Sequence, residues 1–140
     1  MSWDISLFNA PPEITIEEIP RDYEPAPLGS VAEVLGRLQA AFVDLDLSDP
    51  TWGDLERSGW SIEFNIGSGD PVRSIMLHVR GGGGDVVQVV RETAYVLGCR
   101  ALDCSSGEFI EDGGRDGWAD FQAFRDRAFG QGAATQEAER

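Results

Sequence analysis

The 140-residue chain has no lysine, one histidine, two cysteines and no apolar run of membrane-spanning length. Each scarcity narrows the field. A transmembrane helix needs about 20 consecutive apolar residues, so no membrane association is expected. The opening Met1-Ser-Trp-Asp-Ile-Ser-Leu-Phe has neither a basic stretch nor a long apolar one, so no secretory signal is read and the expected location is cytoplasmic. Zinc wants four Cys or His ligands. Cys99, Cys104 and His78 are too few and too scattered, and the two cysteines read as buried or half-buried thiols. Asp44, Asp46 and Asp49 lack the glycine and terminal glutamate of a calcium-binding loop. No metal and no cofactor are expected. The missing lysine fits a GC-rich coding bias and carries no functional inference.

Basic residues are also scarce relative to acids. Eleven Arg face 25 Asp and Glu, giving a formal net charge of −14. A field of that sign repels nucleic acid and anionic membranes and attracts cationic proteins, so nucleic acid is not an expected ligand. The charge is uneven: residues 1–56 hold twelve acids and two Arg, residues 57–140 thirteen acids and nine Arg. The apolar fraction, 41%, is that of a globular protein, and the length fits one core.

Periodicity supplies the elements. Trp3, Ile5 and Leu7 alternate with polar residues as in a half-buried strand. Five of the seven prolines fall between residues 11 and 27, together with Glu13, Glu17, Glu18, Asp22 and Glu24, which predicts an extended, acidic, proline-rich arm. Ile14-Thr-Ile16 reads as a short edge strand within it. Ser30 and Glu33 fit a capping box, followed by Val31, Leu35, Leu38 and Phe42 on one helical face. A turn through Asp44, Asp46, Asp49 and Pro50 leads past Trp52 and Gly53 to a further strand region.

Trp60, Ile62, Phe64 and Ile66, then Ile75, Leu77 and Val79, read as a hairpin. Both apolar sets share a face only when paired residue numbers sum to an odd value, as with Phe64 opposite Ile75. That register puts His78 across from Ser61 and diagonal to Glu63. After Gly81–Gly84, Asp85 is expected to cap a helix carrying Val86, Val87, Val90, Ala94 and Leu97, ended by Gly98. Residues 99–104 form a strand candidate, and Trp118, Phe121, Phe124 and Ala128 mark a last helix. The fold class is α+β: an antiparallel or mixed sheet of about four to five strands with helices packed on one face. One domain is expected over residues 1–129, with a flexible tail at 130–140.

Three constellations invite a functional reading. The four glycines before a helix suggest a phosphate loop, but no Lys-Ser or Lys-Thr follows and Asp85 brings a negative charge. A flexible turn, or close approach of another backbone, explains them better. Glu63, His78 and Arg80 share the polar face of the hairpin and suggest a small enzyme or ligand-binding domain, although no nucleophile is evident. Trp52 lies in a predicted turn beside acids, a suitable anchor for a basic partner. The candidate partner-binding residues are Asp44, Asp46, Asp49, Trp52, Asp54 and Glu56, with Glu17, Glu18 and Asp22 of the arm.

The segments Trp3-Asp-Ile-Ser-Leu-Phe, Gly59-Trp-Ser-Ile-Glu-Phe-Asn-Ile and Ala101-Leu-Asp-Cys-Ser-Ser-Gly-Glu-Phe together resemble small acidic bacterial immunity proteins of polymorphic toxin systems. The resemblance spans residues 3–125. It implies a cytoplasmic, non-enzymatic protein that covers the active site of a cognate toxin. Because such proteins act by occlusion, it carries over no catalytic residues. An acidic inhibitor suits a toxin with a basic surface, such as a nuclease or a nucleic-acid-modifying enzyme. A structural subunit or scaffold is the third possibility, and the oligomeric state is left open.

Overall fold

The computed structural model describes residues 2–83, 85–110, 117–119, 121–124 and 126–127. Its centre is one antiparallel sheet of six strands: β1 (Trp3–Phe8), β2 (Trp52–Arg57), β3 (Trp60–Asn65), β4 (Ile75–Gly81), β5 (Arg100–Asp103) and β6 (Glu108–Phe109). The spatial order is β2-β3-β4-β1-β5-β6. Helices α1 (Val31–Ala41) and α2 (Val86–Leu97) pack against each other and close the core with the sheet. The α+β class follows, with one strand more than the upper end of the sequence estimate.

Alternation separates the two sheet faces. Trp3, Ile5, Leu7, Leu55, Trp60, Ile62, Phe64, Ile75, Leu77, Val79 and Ala101 all turn to the helices and are buried. Burying one such side chain is worth about 1.5–3 kcal/mol. In α2 the predicted residues Val86, Val87, Val90, Ala94 and Leu97 are all buried. In α1 the deepest residues are Val34 and Leu38, with Phe42 just beyond, while Val31 and Leu35 pack on the flank. The buried stripe is therefore turned slightly from the one expected.

The helix ends follow local chemistry. Ser30 and Glu33 form the expected capping box, with Glu33 N–H donating to Ser30 Oγ at 3.1 Å and Ser30 N–H to Glu33 Oε1 at 3.2 Å. Gly98 closes α2 in the left-handed region at φ 65°. Asp85 precedes α2 but makes no side-chain cap. Its carboxylate instead accepts the Trp60 indole N–H at 2.7 Å. A buried indole donor needs a partner more than an open helix end does, since solvent reaches the latter.

Two other expectations are corrected. Ile14-Thr-Ile16 is not a strand: residues Ile16–Glu18 make one 3-10 turn, because the Glu18 carboxylate accepts both the N–H and the hydroxyl of Thr15, at 3.1 and 3.0 Å. The β3–β4 register has the predicted parity but is shifted by two, with Phe64 opposite Leu77 and Ile62 opposite Val79. Trp118 and Phe121 are helical and pack at the core, while Phe124 is helical but exposed. Ala128 and the tail from residue 130 lie outside the described residues.

The glycine run makes room for packing. A Cβ on Gly81, at φ 95°, would stand 2.3 Å from the Gly59 carbonyl oxygen and 2.8 Å from Trp60 Cα. On Gly83 it would meet Trp60 Cδ1 at 2.9 Å. The Gly83 carbonyl accepts the Trp118 indole at 2.7 Å, and the Gly81 carbonyl accepts Gln122 Nε2 at 3.1 Å. Close approach of another backbone, one of the two expected uses of this loop, therefore accounts for Gly81, while Gly83 makes room for the Trp60 indole.

Candidate functional site

Among the described residues no α-helix lies over the second face of the sheet. Part is covered by the proline-rich arm. Arg100 of β5 donates to the carbonyls of Pro11 and Ile14 at 2.6 and 2.8 Å, and its guanidinium lies 3.7 Å from the Phe109 ring centroid. Asn9 Nδ2 holds the carbonyls of Ala26 and Pro27, both at 2.9 Å, and the Tyr23 hydroxyl holds the Asn9 carbonyl at 2.8 Å. The arm thus lies over the β1–β5–β6 end of this face. No residue from 9 to 27 is buried, and cavities of about 570 and 660 Å³ open beside it.

The rest of the face, from β2 to β1, is open. The backbones of Asp46 and Asp54 exchange two hydrogen bonds, 2.9 and 3.0 Å long, so Asp46 extends the sheet by one position beyond β2. Asp54 is then opposite Glu63, Glu63 opposite His78, and His78 opposite Asp4. One row perpendicular to the strands therefore reads Asp46, Asp54, Glu63, His78, Asp4, with Cys104 next because its N–H bonds the Asp4 carbonyl. The correction to the register matters here: His78 faces Glu63 directly, not Ser61.

Chemistry along this row is set by who holds whom. Arg80 pairs with Glu63. His78 Nδ1 lies 2.8 Å from Asp4 Oδ1, and that same oxygen accepts the Ser2 hydroxyl at 2.6 Å. The carboxylate therefore stands between hydroxyl and imidazole. A Ser-His-Asp triad needs the imidazole in the middle, where it can take the hydroxyl proton. Cys104, exposed where a buried or half-buried thiol was expected, offers no better nucleophile: partial desolvation, then the charges of Asp4 and Asp103, push its thiol upward. Burial pushes the Cys99 thiol up to about 12. Among the described residues no three His, Cys, Asp or Glu side chains are grouped to hold a metal ion.

The first three members of the row are carboxylates in successive cross-strand positions. Like charges directly opposite destabilise a sheet. Among the described residues only Glu63 of the three is ion-paired with a cation, which leaves a local electrostatic conflict at the sheet edge. Conflicts of that kind are expected at functional surfaces.

Trp52 belongs to the same surface. Expected in a turn, it is the first residue of β2, opposite Asn65, and 38% exposed. Its indole crosses β3 and stacks with His78, centroids 5.9 Å apart and planes at 19°. Sequence reading missed this because Gly53 occupies a core-facing position and hides the alternation of β2. A Cβ there would meet Leu47 at 3.0 Å, Phe64 Cβ at 3.2 Å and Leu45 at 3.4 Å.

The other predicted residues divide into two groups. Asp44 is held by Arg57, whose Nε and Nη2 donate at 3.0 and 3.1 Å, and this guanidinium holds its carboxyl below the usual range. Asp46 and Asp49 each accept a hydroxyl and an N–H, from Ser48 and Thr51 respectively, which lowers both carboxyls. Glu56 is exposed on β2. With Trp52 and Asp54, these four lie together at the β2 edge. Glu17, Glu18 and Asp22 are exposed on the arm, whose contacts reach β5, four strand positions away or about 19 Å. The predicted surface is therefore two surfaces. No helix among the described residues is long and apolar enough to cross a membrane. No family model, curated protein or solved structure matches the chain.

Proposed function

We propose that this chain is an immunity-type inhibitor, which binds a cognate bacterial toxin of basic surface and occludes its active site. The toxin is a nuclease or another enzyme acting on nucleic acid. The observation that carries the reading is the open sheet face: an exposed tryptophan lies among carboxylates set directly opposite one another. A basic partner would relieve that conflict, and the acidic field would steer its approach. The Asp44–Glu56 edge and the adjoining row make the contact, and the arm is a separate acidic surface. Under this reading the chain works in the cytoplasm, without cofactor or bound nucleic acid. The order Ser2–Asp4–His78 and the raised Cys104 thiol favour binding over catalysis, and Glu63, His78 and Arg80 form part of a contact surface.

The test is association with the toxin domain encoded beside this chain, followed by stopped-flow. A rate falling at least about tenfold between 50 and 500 mM salt is expected. Reversing Asp46, Asp49 and Asp54 to Arg should weaken the complex and abolish protection. A salt-independent rate with unchanged affinity in the triple variant would sink the proposal.

A further inference from the structure

At the β2 end of the open face three groups converge, and among the described residues no cation is ion-paired with any of them. Asp46 and Asp54 are a hydrogen-bonded cross-strand pair, so their side chains project side by side about 5 Å apart. Trp52, two residues before Asp54, is on the same face with His78 stacked against one side of its indole. Ser48 holds Oδ1 of Asp46, through its N–H at 2.9 Å and its hydroxyl at 2.7 Å. That fixes the carboxylate and leaves its second oxygen for a ligand. Among the described residues, Asp46 and Asp54 have no ion-pair partner.

On the other side of the same strand the chain fills a seat of the same composition for itself. Arg57 grips both oxygens of Asp44, and its guanidinium lies 5.9 Å from the Phe42 ring centroid and 5.7 Å from that of Trp60. Arg100 repeats the theme with the Phe109 ring and two backbone carbonyls. Two guanidiniums of this chain, Arg57 and Arg100, thus sit against an aromatic ring and paired oxygens, whereas Arg37 and Arg80 pair with a glutamate alone.

We propose that Trp52, Asp54 and Asp46 form an arginine seat on the docking face, occupied by one guanidinium of the partner protein. The inference rests on the protein-binding reading above and deepens it. Arginine fits because its planar group can stack on the exposed part of the indole, Trp52 being 38% exposed, while its N–H fork meets the two carboxylates. A lysine ammonium is compact and strongly hydrated, and has neither the plane nor the fork. The like-charge opposition of Asp46 and Asp54 becomes a paired contact when the seat is filled.

The experiment uses the full chain and two labelled probes of equal charge, octa-arginine and octa-lysine, titrated by fluorescence anisotropy at about 100 mM salt. General acidity attracts both peptides. The seat predicts octa-arginine tighter by at least about threefold, and loss of that preference in Trp52→Ala and in Asp46→Asn/Asp54→Asn. Glu108→Gln, a charge loss on β6, should leave the preference intact. Circular dichroism checks that each variant folds, and Trp52→Phe, which keeps a ring, should retain part of the preference. Equal binding of the two peptides by the parent chain, or an undiminished preference in Trp52→Ala, overturns the proposal. The outcomes separate from those of the inhibitor reading: a chain that discriminates the peptides but protects against no toxin retains the seat and loses the inhibitor function.

Discussion

Replacing Asp54 by Asn should make the protein more stable and a poorer binder. Asp54 is the middle carboxylate of three, opposite Glu63 in β3 and opposite Asp46 across the edge. Two unit charges about 5.5 Å apart in water repel by roughly 0.75 kcal/mol. At physiological ionic strength the Debye length is about 8 Å, which cuts this by about half. Arg80 offsets part of the Glu63 charge, and Asp46 adds repulsion of the same sign. The gain from Asn is therefore set at about 0.3–0.5 kcal/mol, within the range for a like-charge cross-strand pair. For a chain of this length that raises Tm by about 1–2 °C. Asn keeps the shape and the backbone hydrogen bonds to Asp46, so the change isolates charge. The assay is thermal unfolding of parent and variant at 20 mM, 150 mM and 1 M NaCl. The difference should be largest at low salt and vanish at 1 M, where the Debye length is about 3 Å. A loss of stability, or a gain that ignores salt, would refute the claim that this face holds an electrostatic conflict.

Acid stability and thiol chemistry supply two further tests. Glu33, Asp46 and Asp49 are held below their ordinary values by the serine and threonine groups that bond them. Folded values below unfolded ones mean stability that is complete above the unfolded value, 3.8 for Asp, and is lost as pH falls through the lower folded values. Tm should thus show no loss from these groups between pH 7 and 5, and Ser48→Ala should move the acid transition of Asp46 upward by NMR titration. With iodoacetamide at pH 8, native Cys99 should stay unlabelled and Cys104 should react more slowly than a free thiol, while both should react after unfolding. Rapid native labelling would contradict the raised thiol of the half-buried Cys99.

Much of the architecture was legible because it depends on periodicity. The parity of the hairpin followed from alternation alone, since one face had to take Trp60, Ile62, Phe64, Leu77 and Val79. The exact register did not, because a shift by two preserves every face and is decided by packing elsewhere. The capping box at Ser30 was readable from spacing, whereas the role of Asp85 was not: its competitor for hydrogen bonding, the Trp60 indole, is distant in sequence. The candidate acids could be named from the sequence, but their arrangement needed the sheet. Nothing in the order of residues 46, 54, 63, 78 and 4 announces that they form one line. Trp52 was singled out as an anchor, yet its contact with His78 spans two strand positions and is visible only once the strands are laid side by side.

The position of β1 bears on how the protein is made. Strand β1 is interior in the sheet, and its neighbours, residues 75–81 and 100–103, follow it by about 70 residues or more in the chain. Neither exists while the N-terminal half is being synthesised. Trp3, Ile5 and Leu7 must therefore wait, apolar and unpaired, until β4 and β5 have been translated. Such non-local pairing slows folding. The acidic stretch that follows β1 keeps the nascent segment charged during this delay, so the same residues that give the folded protein its field also help the unfinished chain avoid its own kind.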